Sequence, residues 1–312
     1  MFALYLQYEY YVAATQLVLT MLGVGVTLNL RHFQVLLQYP RSLVVGVGCQ
    51  LVLVPLLAFV LITLVPVDPG IAVGLILIAS VPGGSVSNIY TFLGLGNVAL
   101  SISLTGLLTI AALVTTPLIL SLMAAELMPP DFVMPLGRIL GEIFMLLLLP
   151  LSVGMALGRR FPLQRDRISR WFIRGGIVAL LAIVVGALGS GRIDILAYGW
   201  SGPLTVIVFS VTIAILSRLS GRLARIPEED AFAVATEATV RNANLALLLA
   251  VSMFPGMSMD GTSIGSGALF AILFYGGAML LVALPATVQH RRSALRREDA
   301  QPPRPQTDNT TP

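Results

Sequence analysis

Nine stretches of mostly apolar residues, each about 20 residues long or longer, run through this chain. A helix of about 20 residues spans the hydrocarbon core of a bilayer, so each stretch is long enough to cross a membrane. Hydrophobic residues make up 56% of the sequence and charged residues only 11%, whereas soluble domains have roughly 25% charged residues. So few charges cannot cover the surface of a water-soluble protein of this length. The sequence therefore predicts an all-α integral membrane protein.

The nine predicted transmembrane helices form one polytopic membrane domain over residues 1–290. They occupy residues 9–30, 42–64, 70–93, 97–123, 133–158, 171–190, 198–219, 230–254 and 263–288. Residues 291–312 are charged and rich in proline, a composition that predicts a disordered cytoplasmic tail.

The arginines indicate how the chain is oriented in the membrane. All 19 basic residues are arginine, and with nine spans sixteen of them fall on the side that holds the C-terminus. Cytoplasmic loops carry an excess of basic residues. We therefore predict a multi-pass protein of the cell membrane, with its N-terminus outside and its C-terminus in the cytoplasm. An even number of spans would scatter the arginines over both faces.

The predicted spans lack the residues that several classes of function need. The two histidines lie just outside apolar segments, which leaves no cluster for a transition metal, and the single cysteine, Cys49, cannot form an internal disulfide. No span combines a nucleophile with a histidine base or holds a central pair of aspartates, so we do not expect an enzyme. We expect neither binding to nucleic acid nor an obligate protein partner. A channel or a sensor is an alternative to a carrier.

Polar residues interrupt the third and eighth spans near their middles. The third contains PGGSVSN at residues 82–88, and the eighth contains EATVRNAN at residues 237–244. A charge at the centre of a membrane helix costs about 2.5–3.5 kcal/mol or more, and such residues usually mark a functional site. The alternatives are a simple kink in the third span and an i,i+4 ion pair between Glu237 and Arg241 in the eighth.

The positions of these interruptions outline an inverted repeat. With nine spans, the third and eighth cross the membrane in opposite directions, and each is followed by a helix that ends near a proline, Pro117 or Pro285. Secondary transporters bind substrates and ions between such discontinuous helices near the middle of the membrane. The residues alone therefore predict a secondary transporter, without identifying its substrate.

At these segments the chain resembles the bile acid:sodium symporter family from about Met21 to Pro285. The resemblance rests on the acid-led polar run of the eighth span together with GVGVTLNLRHF, CQLVLVPLLAF, PGGSVSN and NVALSISLT. It implies the nine-span form of the family, with two broken helices, spans 3 and 8, that cross each other. It also implies a core domain of spans 2–4 and 7–9 and a panel domain of spans 1, 5 and 6.

The resemblance further implies two sodium sites built from oxygen ligands. The residues that match the first site are Ser87, Asn88, Ser101, Thr105 and Glu237. The second site would use Gln50, Glu237 and backbone carbonyls around Ala238 and Val240, together with a glutamine where this chain has Arg241. A guanidinium has five donors and no acceptor, so it cannot ligate sodium. One sodium site is therefore expected, and the second is in doubt.

Two hypotheses account for Arg241. In the first, its cation replaces the second sodium beside Glu237 and Gln50 accepts a hydrogen bond from it; coupling then falls to one sodium or is lost. In the second, Arg241 faces the cavity and binds an anionic substrate, with which a guanidinium pairs well. Asn242 and Asn244 follow directly and are further candidate substrate contacts.

The sequence and the resemblance together predict a sodium-coupled symporter of an organic anion, such as a bile acid or a small organic acid, that works by alternating access. Because Arg241 replaces a predicted sodium ligand, the alternative is a sodium-independent or proton-coupled organic anion carrier in which Glu237 titrates.

Overall fold

The computed structural model describes residues 2–28, 38, 40–191, 198–254 and 263–299, and its regular elements are helices. We number thirteen α-helices in chain order. They are α1 (Phe2–Thr27), α2 (Pro40–Gly48), α3 (Val54–Leu64), α4 (Pro69–Ser80), α5 (Ser85–Leu93), α6 (Val98–Met123), α7 (Leu136–Glu142), α8 (Leu149–Arg160), α9 (Arg165–Gly189), α10 (Ser201–Leu223), α11 (Glu228–Thr239), α12 (Ala243–Met253) and α13 (Ile264–Asp299).

Seven helical stretches in the described part of the chain are long and apolar enough to cross a membrane. They are Gln7–Thr27, Pro40–Leu64, Val98–Met123, Leu136–Arg160, Pro162–Gly189, Ser201–Leu223 and Ile264–Arg297. Length and apolar composition thus agree with the prediction of an all-α membrane protein.

Two of the long stretches contain a π-helical turn. Cys49–Leu53 joins α2 to α3, and Ile143–Leu148 joins α7 to α8. Each turn ends just before a proline, Pro55 or Pro150. Proline lacks an N–H group and its ring excludes the carbonyl of residue i−4, so the helix widens locally instead of continuing its regular bonding.

Four shorter helices form two consecutive pairs, α4 with α5 and α11 with α12. The chain leaves helical geometry between Ser80 and Ser85, and again between Thr239 and Ala243. The gaps coincide with the proline and glycines of the third predicted span and with the polar run of the eighth. Because helix α11 ends at Thr239, Glu237 and Arg241 do not lie one turn apart on a common helix, as the ion-pair alternative requires.

The two gaps pair with each other through their backbones. The amide of Gly84 donates to the carbonyl of Val240 at 3.0 Å, and the amide of Asn242 donates to the carbonyl of Pro82 at 2.9 Å. Gly83 and Arg241 form an antiparallel bridge between these bonds. Unpaired backbone groups are costly away from water, so each gap supplies the partners that the other needs.

Helix α1 packs closely against α8 and α9 through glycines. A Cβ atom added at Gly154 in α8 would lie 2.5 Å from the carbonyl oxygen of Leu22, and one added at Gly158 would lie 2.3 Å from that of Val26. Small residues allow membrane helices to approach in this way. These three helices form one packed unit, and α4 and α10–α13 contact one another in a second.

The end of the chain departs from the predicted tail. Helix α13 continues past residue 290 to Asp299, while residues 300–312 lie outside the described part. The arginines, alanine and leucine of the extension favour helix. The start of the extension is also bonded to the membrane domain, since His290 contacts the carbonyl of Gly94 at 2.8 Å and Arg291 donates to that of Leu93 at 3.0 Å. Helix therefore replaces the predicted disorder over residues 291–299.

We predict that Gly154→Ala destabilises the protein, because the added methyl group meets backbone atoms of α1 that have no space to move. Overpacking of this kind costs about 1–3 kcal/mol. The measurement is the unfolding temperature of the purified protein in detergent. Gly141→Ala is the matched control on the same membrane segment, because a Cβ atom there meets nothing within 4 Å. Equal unfolding temperatures for the two variants would contradict the close packing of α1 on α8.

Candidate functional site

A buried carboxylate lies where the two gaps meet. Glu237, in the last turn of α11, is fully buried. Its carboxylate accepts a hydrogen bond from the hydroxyl of Ser87 on α5. It also accepts hydrogen bonds from Ser101 and Thr105 on α6, at 3.2 and 2.6 Å. Three hydroxyls from two other helices thus surround one acid.

Asn88 completes this group of polar side chains. Its Oδ1 atom lies 2.7 Å from the hydroxyl of Ser101 and 3.3 Å from that of Thr105, so Asn88 and Glu237 share the single hydrogen of each hydroxyl, while its Nδ2 atom is buried without a partner in the described residues. The structure therefore brings together all five residues that the family resemblance matched to the first sodium site. We call Ser87, Asn88, Ser101, Thr105 and Glu237 the oxygen cluster.

Local sequence explains how the members of the cluster are presented. Asn97 caps the start of α6 by accepting a hydrogen bond from the amide of Leu100 at 3.0 Å. The helix that follows places Ser101 and Thr105, four residues apart, on one face. Gly83 is required beside the acid, since a Cβ atom there would lie 2.3 Å from Oε1 of Glu237.

The oxygen cluster has the chemistry of a site for a small hard cation. It offers a carboxylate, an amide oxygen and three hydroxyls, and hydroxyls can rotate to present lone pairs in place of hydrogens. Oxygen atoms are the ligands that hard cations prefer. A buried carboxylate is costly unless it is compensated, and a monovalent cation would supply that compensation.

Arg241 lies in the gap between α11 and α12, and its side chain donates hydrogen bonds to the C-terminal end of α4. Its Nε atom donates to the carbonyl of Ile78 at 2.7 Å, and its Nη2 atom donates to those of Ala79, at 3.1 Å, and Val81. The residue is only 2% exposed, and its Nη1 atom is buried without a partner in the described part of the chain. The guanidinium therefore sits at the negative, C-terminal end of α4.

Gln50 contacts the gap at a different point. Its Oε1 atom accepts a hydrogen bond from the amide of Gly83 at 2.9 Å, and its Nε2 atom is buried without a partner in the described residues. The expected hydrogen bond from Arg241 to Gln50 is replaced by the bonds from Arg241 to backbone carbonyls. The π-helical turn over Cys49–Leu53 places Gln50 at this depth.

Side-chain hydroxyls donate hydrogen bonds to other carbonyls at the C-terminal ends of α4 and α11. The hydroxyl of Thr116 donates to the carbonyl of Ser80 at 2.8 Å, and that of Tyr275 donates to the carbonyl of Thr239 at 2.7 Å. Together with Arg241, these groups satisfy much of the bonding capacity that an α-helix leaves open at its C-terminus.

A cavity of about 340 Å3 borders the two gaps, and its described lining does not include the oxygen cluster. Its polar wall includes Gln16 and Thr20 of α1, Ser85 of α5, and the two predicted substrate residues Asn242 and Asn244. Arg241 also lines it, although its bonded nitrogens are directed to α4. The remaining wall is mostly apolar and comes from α9, α12 and α13. A mostly apolar wall with a few polar groups is typical of small-molecule sites.

Some buried polar residues had no role in the sequence-based prediction. Thr91 donates to Ser101 at 3.3 Å; it lies four residues after Ser87, and this spacing on the polar face of α5 could have identified it. Asp230 accepts hydrogen bonds from Ser42 at 2.5 Å and Asn97 at 2.8 Å, and so holds the start of α11. The two partners of Asp230 are far from it in the sequence, so a local sequence pattern could not connect them.

Glu142 bonds well beyond its own helix. It contacts Arg138 at 3.4 Å, accepts a hydrogen bond from Tyr10 of α1 at 3.3 Å, and accepts another from Ser252 of α12. A pair on one helix would not join α1, α7 and α12, so Glu142 connects segments from three parts of the chain.

Comparison with known proteins agrees with these features. The model of the Sodium Bile acid symporter family matches residues 14–198. YocS of Bacillus subtilis, described as an uncharacterized sodium-dependent transporter, is 31% identical over 79% of this chain and 75% of its own length. A probable chloroplastic sodium/metabolite cotransporter of Arabidopsis thaliana is 31% identical over 76% of this chain and 58% of its own.

A mammalian protein is similar over a somewhat shorter region. The sodium-dependent organic anion transporter of Rattus norvegicus is 30% identical over 68% of this chain and 55% of its own length. The matches thus span little more than half of the plant and rat proteins. The family model covers more than half of the present chain, and this multi-pass membrane protein belongs to the sodium bile acid symporter family.

Proposed function

We propose that this chain is a sodium-coupled secondary transporter that carries an organic anion, such as a bile acid or a small organic acid, by alternating access. The observation that carries the proposal is the oxygen cluster, in which a fully buried Glu237 meets oxygen-bearing side chains from α5 and α6. Relatives named as sodium-dependent transporters support the same ion, and one of them is named for organic anions.

Sodium binds in the oxygen cluster, with the Glu237 carboxylate offsetting its charge. The hydroxyls of Ser87, Ser101 and Thr105 now donate to oxygen atoms of the cluster. On binding, these hydroxyls turn their hydrogens away and offer lone pairs to the ion. The cluster draws on three separate helices, so the ion stabilises the arrangement in which α5, α6 and α11 meet.

The chain crosses the membrane nine times, with the N-terminus outside and the C-terminus in the cytoplasm. In this arrangement α4 with α5 makes one broken crossing, and α11 with α12 makes the other. Helices α1, α7–α8 and α9 form the panel, and the remaining helices form the core. The close packing of α1 on α8 and α9 supports such a division. Transport follows from movement of the core against the panel, which exposes the cavity to each side in turn.

Arg241 acts as a fixed cation in place of a second sodium ion. Its guanidinium donates to three carbonyls at the C-terminal end of α4, and such an end favours positive charge. The bound cation is therefore part of the chain, cannot dissociate, and needs no ion from solution. Coupling is limited to the one sodium held by the oxygen cluster.

The organic anion binds in the cavity next to the gaps. Asn242 and Asn244 contribute polar contacts there, and the apolar walls contact the body of the substrate. The amides at the start of α5 lack partners within the helix and are attractive to a negative group. Ion and substrate thus occupy separate sites next to the same pair of gaps.

The proposed function is tested by tracer uptake of a panel of organic acids into proteoliposomes. We expect uptake to require an inward sodium gradient and to fall to background when potassium replaces sodium. Uptake that persists in potassium and follows the pH gradient would favour proton coupling through Glu237 instead. Saturation and counterflow of labelled substrate separate a carrier from a channel.

We predict that Thr105→Val weakens sodium activation, because it removes a hydroxyl of the oxygen cluster while keeping the shape of the side chain. The sodium concentration for half-maximal uptake should rise about tenfold, equivalent to about 1.4 kcal/mol. Thr115→Val is the matched control on α6, since among the described residues that hydroxyl donates to the carbonyl of Ala111 in its own helix, at 3.1 Å. If both variants respond to sodium like the wild type, the site assignment is wrong.

Glu237→Gln should abolish sodium-dependent uptake, because the neutral amide no longer offsets the charge of the ion. The measurement is uptake together with sodium-induced thermal stabilisation of the purified protein. We expect both to be lost. Full sodium-dependent stabilisation in this variant would place the sodium site elsewhere.

Arg241→Gln should increase the number of sodium ions coupled to each transported anion, because it removes the fixed cation and adds an oxygen ligand. The measurement is the ratio of labelled sodium to labelled anion flux. Arg138→Gln, at an arginine whose side chain is 50% exposed, controls for the loss of a membrane arginine. Loss of uptake with sodium binding intact would instead indicate that Arg241 contacts the substrate. An unchanged ratio with normal uptake contradicts both roles.

A further inference from the structure

Gln16 is a buried amide on the α1 side of the cavity. It is only 4% exposed and lines the cavity together with Thr20, one turn further along the same helix. The hydroxyl of Thr20 donates to backbone carbonyls of α1, at 3.0 Å to Gln16 and 2.9 Å to Leu17. Thr20 therefore has its hydrogen committed within α1, whereas the side-chain amide of Gln16 is available to groups outside the helix.

The amide of Gln16 reaches across to the opposite wall. Asn244, in the first turn of α12, donates from its Nδ2 atom to Oε1 of Gln16. This hydrogen bond uses the carbonyl oxygen of Gln16, and a glutamine amide has two further hydrogens on Nε2. The hydrogen bond between Asn244 and Gln16 therefore joins α12 to α1, and the Nε2 hydrogens of Gln16 can still be donated to an anion.

The start of α5 provides a second group of donors in the same cavity. Gly84 precedes the helix without a side-chain cap, and Gly84, Ser85 and Val86 line the cavity. At the start of α12, by contrast, Asn242 caps the helix by accepting a hydrogen bond from Leu245 at 3.1 Å. The two helix starts are therefore unequal. At α5 the amide of Gly84 donates to Val240 and that of Ser87 donates to the carbonyl of Gly84, which leaves the first two amides of the helix, those of Ser85 and Val86, to a ligand.

The rest of the wall selects for an apolar body. Ile183 and Leu188 of α9, Leu247 of α12 and Met279 of α13 are among the residues that line it. A ligand with a carboxylate at one end and an apolar remainder satisfies both parts of the cavity. A ligand with charges at both ends would place one of them against apolar side chains, which is costly.

We propose that Gln16 is a substrate-selecting residue, which binds the carboxylate of a monoanionic organic acid through its side-chain amide together with the first amides of α5. The inference deepens the proposed transport function and rests on it. Gln16 lies on α1, outside the helices that hold the oxygen cluster, so it adds a contact from the other packed unit of the molecule.

Substrate binding then changes the contact between α1 and α12. The carboxylate accepts hydrogen bonds from Gln16 and competes with its carbonyl oxygen for the Nδ2 hydrogens of Asn244. The direct bond from Asn244 to Gln16 is exchanged for bonds from both residues to one ligand. The substrate thereby replaces the direct contact between α1 and α12. These helices belong to two packed units that must move relative to each other during alternating access.

The test compares two glutamine-to-glutamate changes on the same helix. Gln16→Glu places a negative charge beside the carboxylate, while Gln7→Glu places the same charge on an exposed part of α1, roughly 13 Å away along the helix axis. The full-length protein is reconstituted in proteoliposomes, and sodium-driven uptake of labelled propionate, succinate and cholate is measured over a range of concentrations. Gln16→Met, which removes the amide without adding charge, provides a second variant.

We expect the wild type to take up a monoanion, propionate or cholate, in preference to succinate. Gln16→Glu should raise the KM for that monoanion at least tenfold and Gln16→Met severalfold, while Gln7→Glu stays within twofold of the wild type. Sodium-induced thermal stabilisation should be unchanged in all variants, which separates a substrate contact from a folding defect or a loss of sodium binding.

Three results would overturn the proposal, and they can be told apart. If the wild type transports but Gln16→Glu and Gln16→Met have the KM of Gln7→Glu, Gln16 does not select the substrate, although the transport function stands. A clear preference for succinate would contradict the monoanionic class. If the wild type takes up none of the three compounds under a sodium gradient, the proposed function fails, and the role of Gln16 fails with it.

Discussion

The backbone pairing between the two gaps is the interaction on which the site depends. Two helices that stop inside an apolar protein leave amides and carbonyls without partners, and this cost excludes most such interruptions. Here the hydrogen bonds from Gly84 to Val240 and from Asn242 to Pro82 satisfy one gap with the other. The gaps are therefore stable only together. This mutual dependence brings polar side chains from distant parts of the chain to one depth.

The charges near the gaps follow from the helix ends that the pairing creates. Helix α4 ends there with several carbonyls directed at a buried region, and the Arg241 guanidinium donates to three of them. The carboxylate of Glu237 faces hydroxyls on the other side. A fixed positive group and a buried negative group therefore have separate partners, and only the negative group is surrounded by side-chain oxygens that suit a mobile cation.

Much of this arrangement could be predicted from the sequence because membrane helices obey simple length rules. The apolar stretches, the proline and glycines at residues 82–84 and the polar run beginning at Glu237 are local patterns, and the helices end at those places. The grouping of the oxygen cluster came from resemblance to a family, since spacing alone does not bring residues 87 and 237 together. The predicted tail differed because the arginine-rich segment continues α13 and is bonded to the end of α5.

The contacts that could not be predicted are those between side chains from distant segments. The bonds of Arg241 to the carbonyls of α4 depend on how the two gaps cross, which no local pattern specifies. Gln16 gave no signal, because a single amide in an apolar helix has no periodicity and its partner Asn244 is 228 residues away. The bonds of Glu142 to Tyr10 and Ser252 likewise connect α7 to helices that are distant in the sequence.

The first turn of α5 links the proposed ion site to the proposed substrate site. Ser85 and Val86 line the cavity, while the next two residues, Ser87 and Asn88, belong to the oxygen cluster. A cation that fixes Ser87 and Asn88 also fixes the backbone amides just before them, and those amides are the donors offered to the anion. Such coupling is reciprocal, because a ligand that raises the affinity for a second one is itself bound more tightly in its presence. In the proposed carrier, sodium and the organic anion therefore stabilise the same turn of helix from two neighbouring sites.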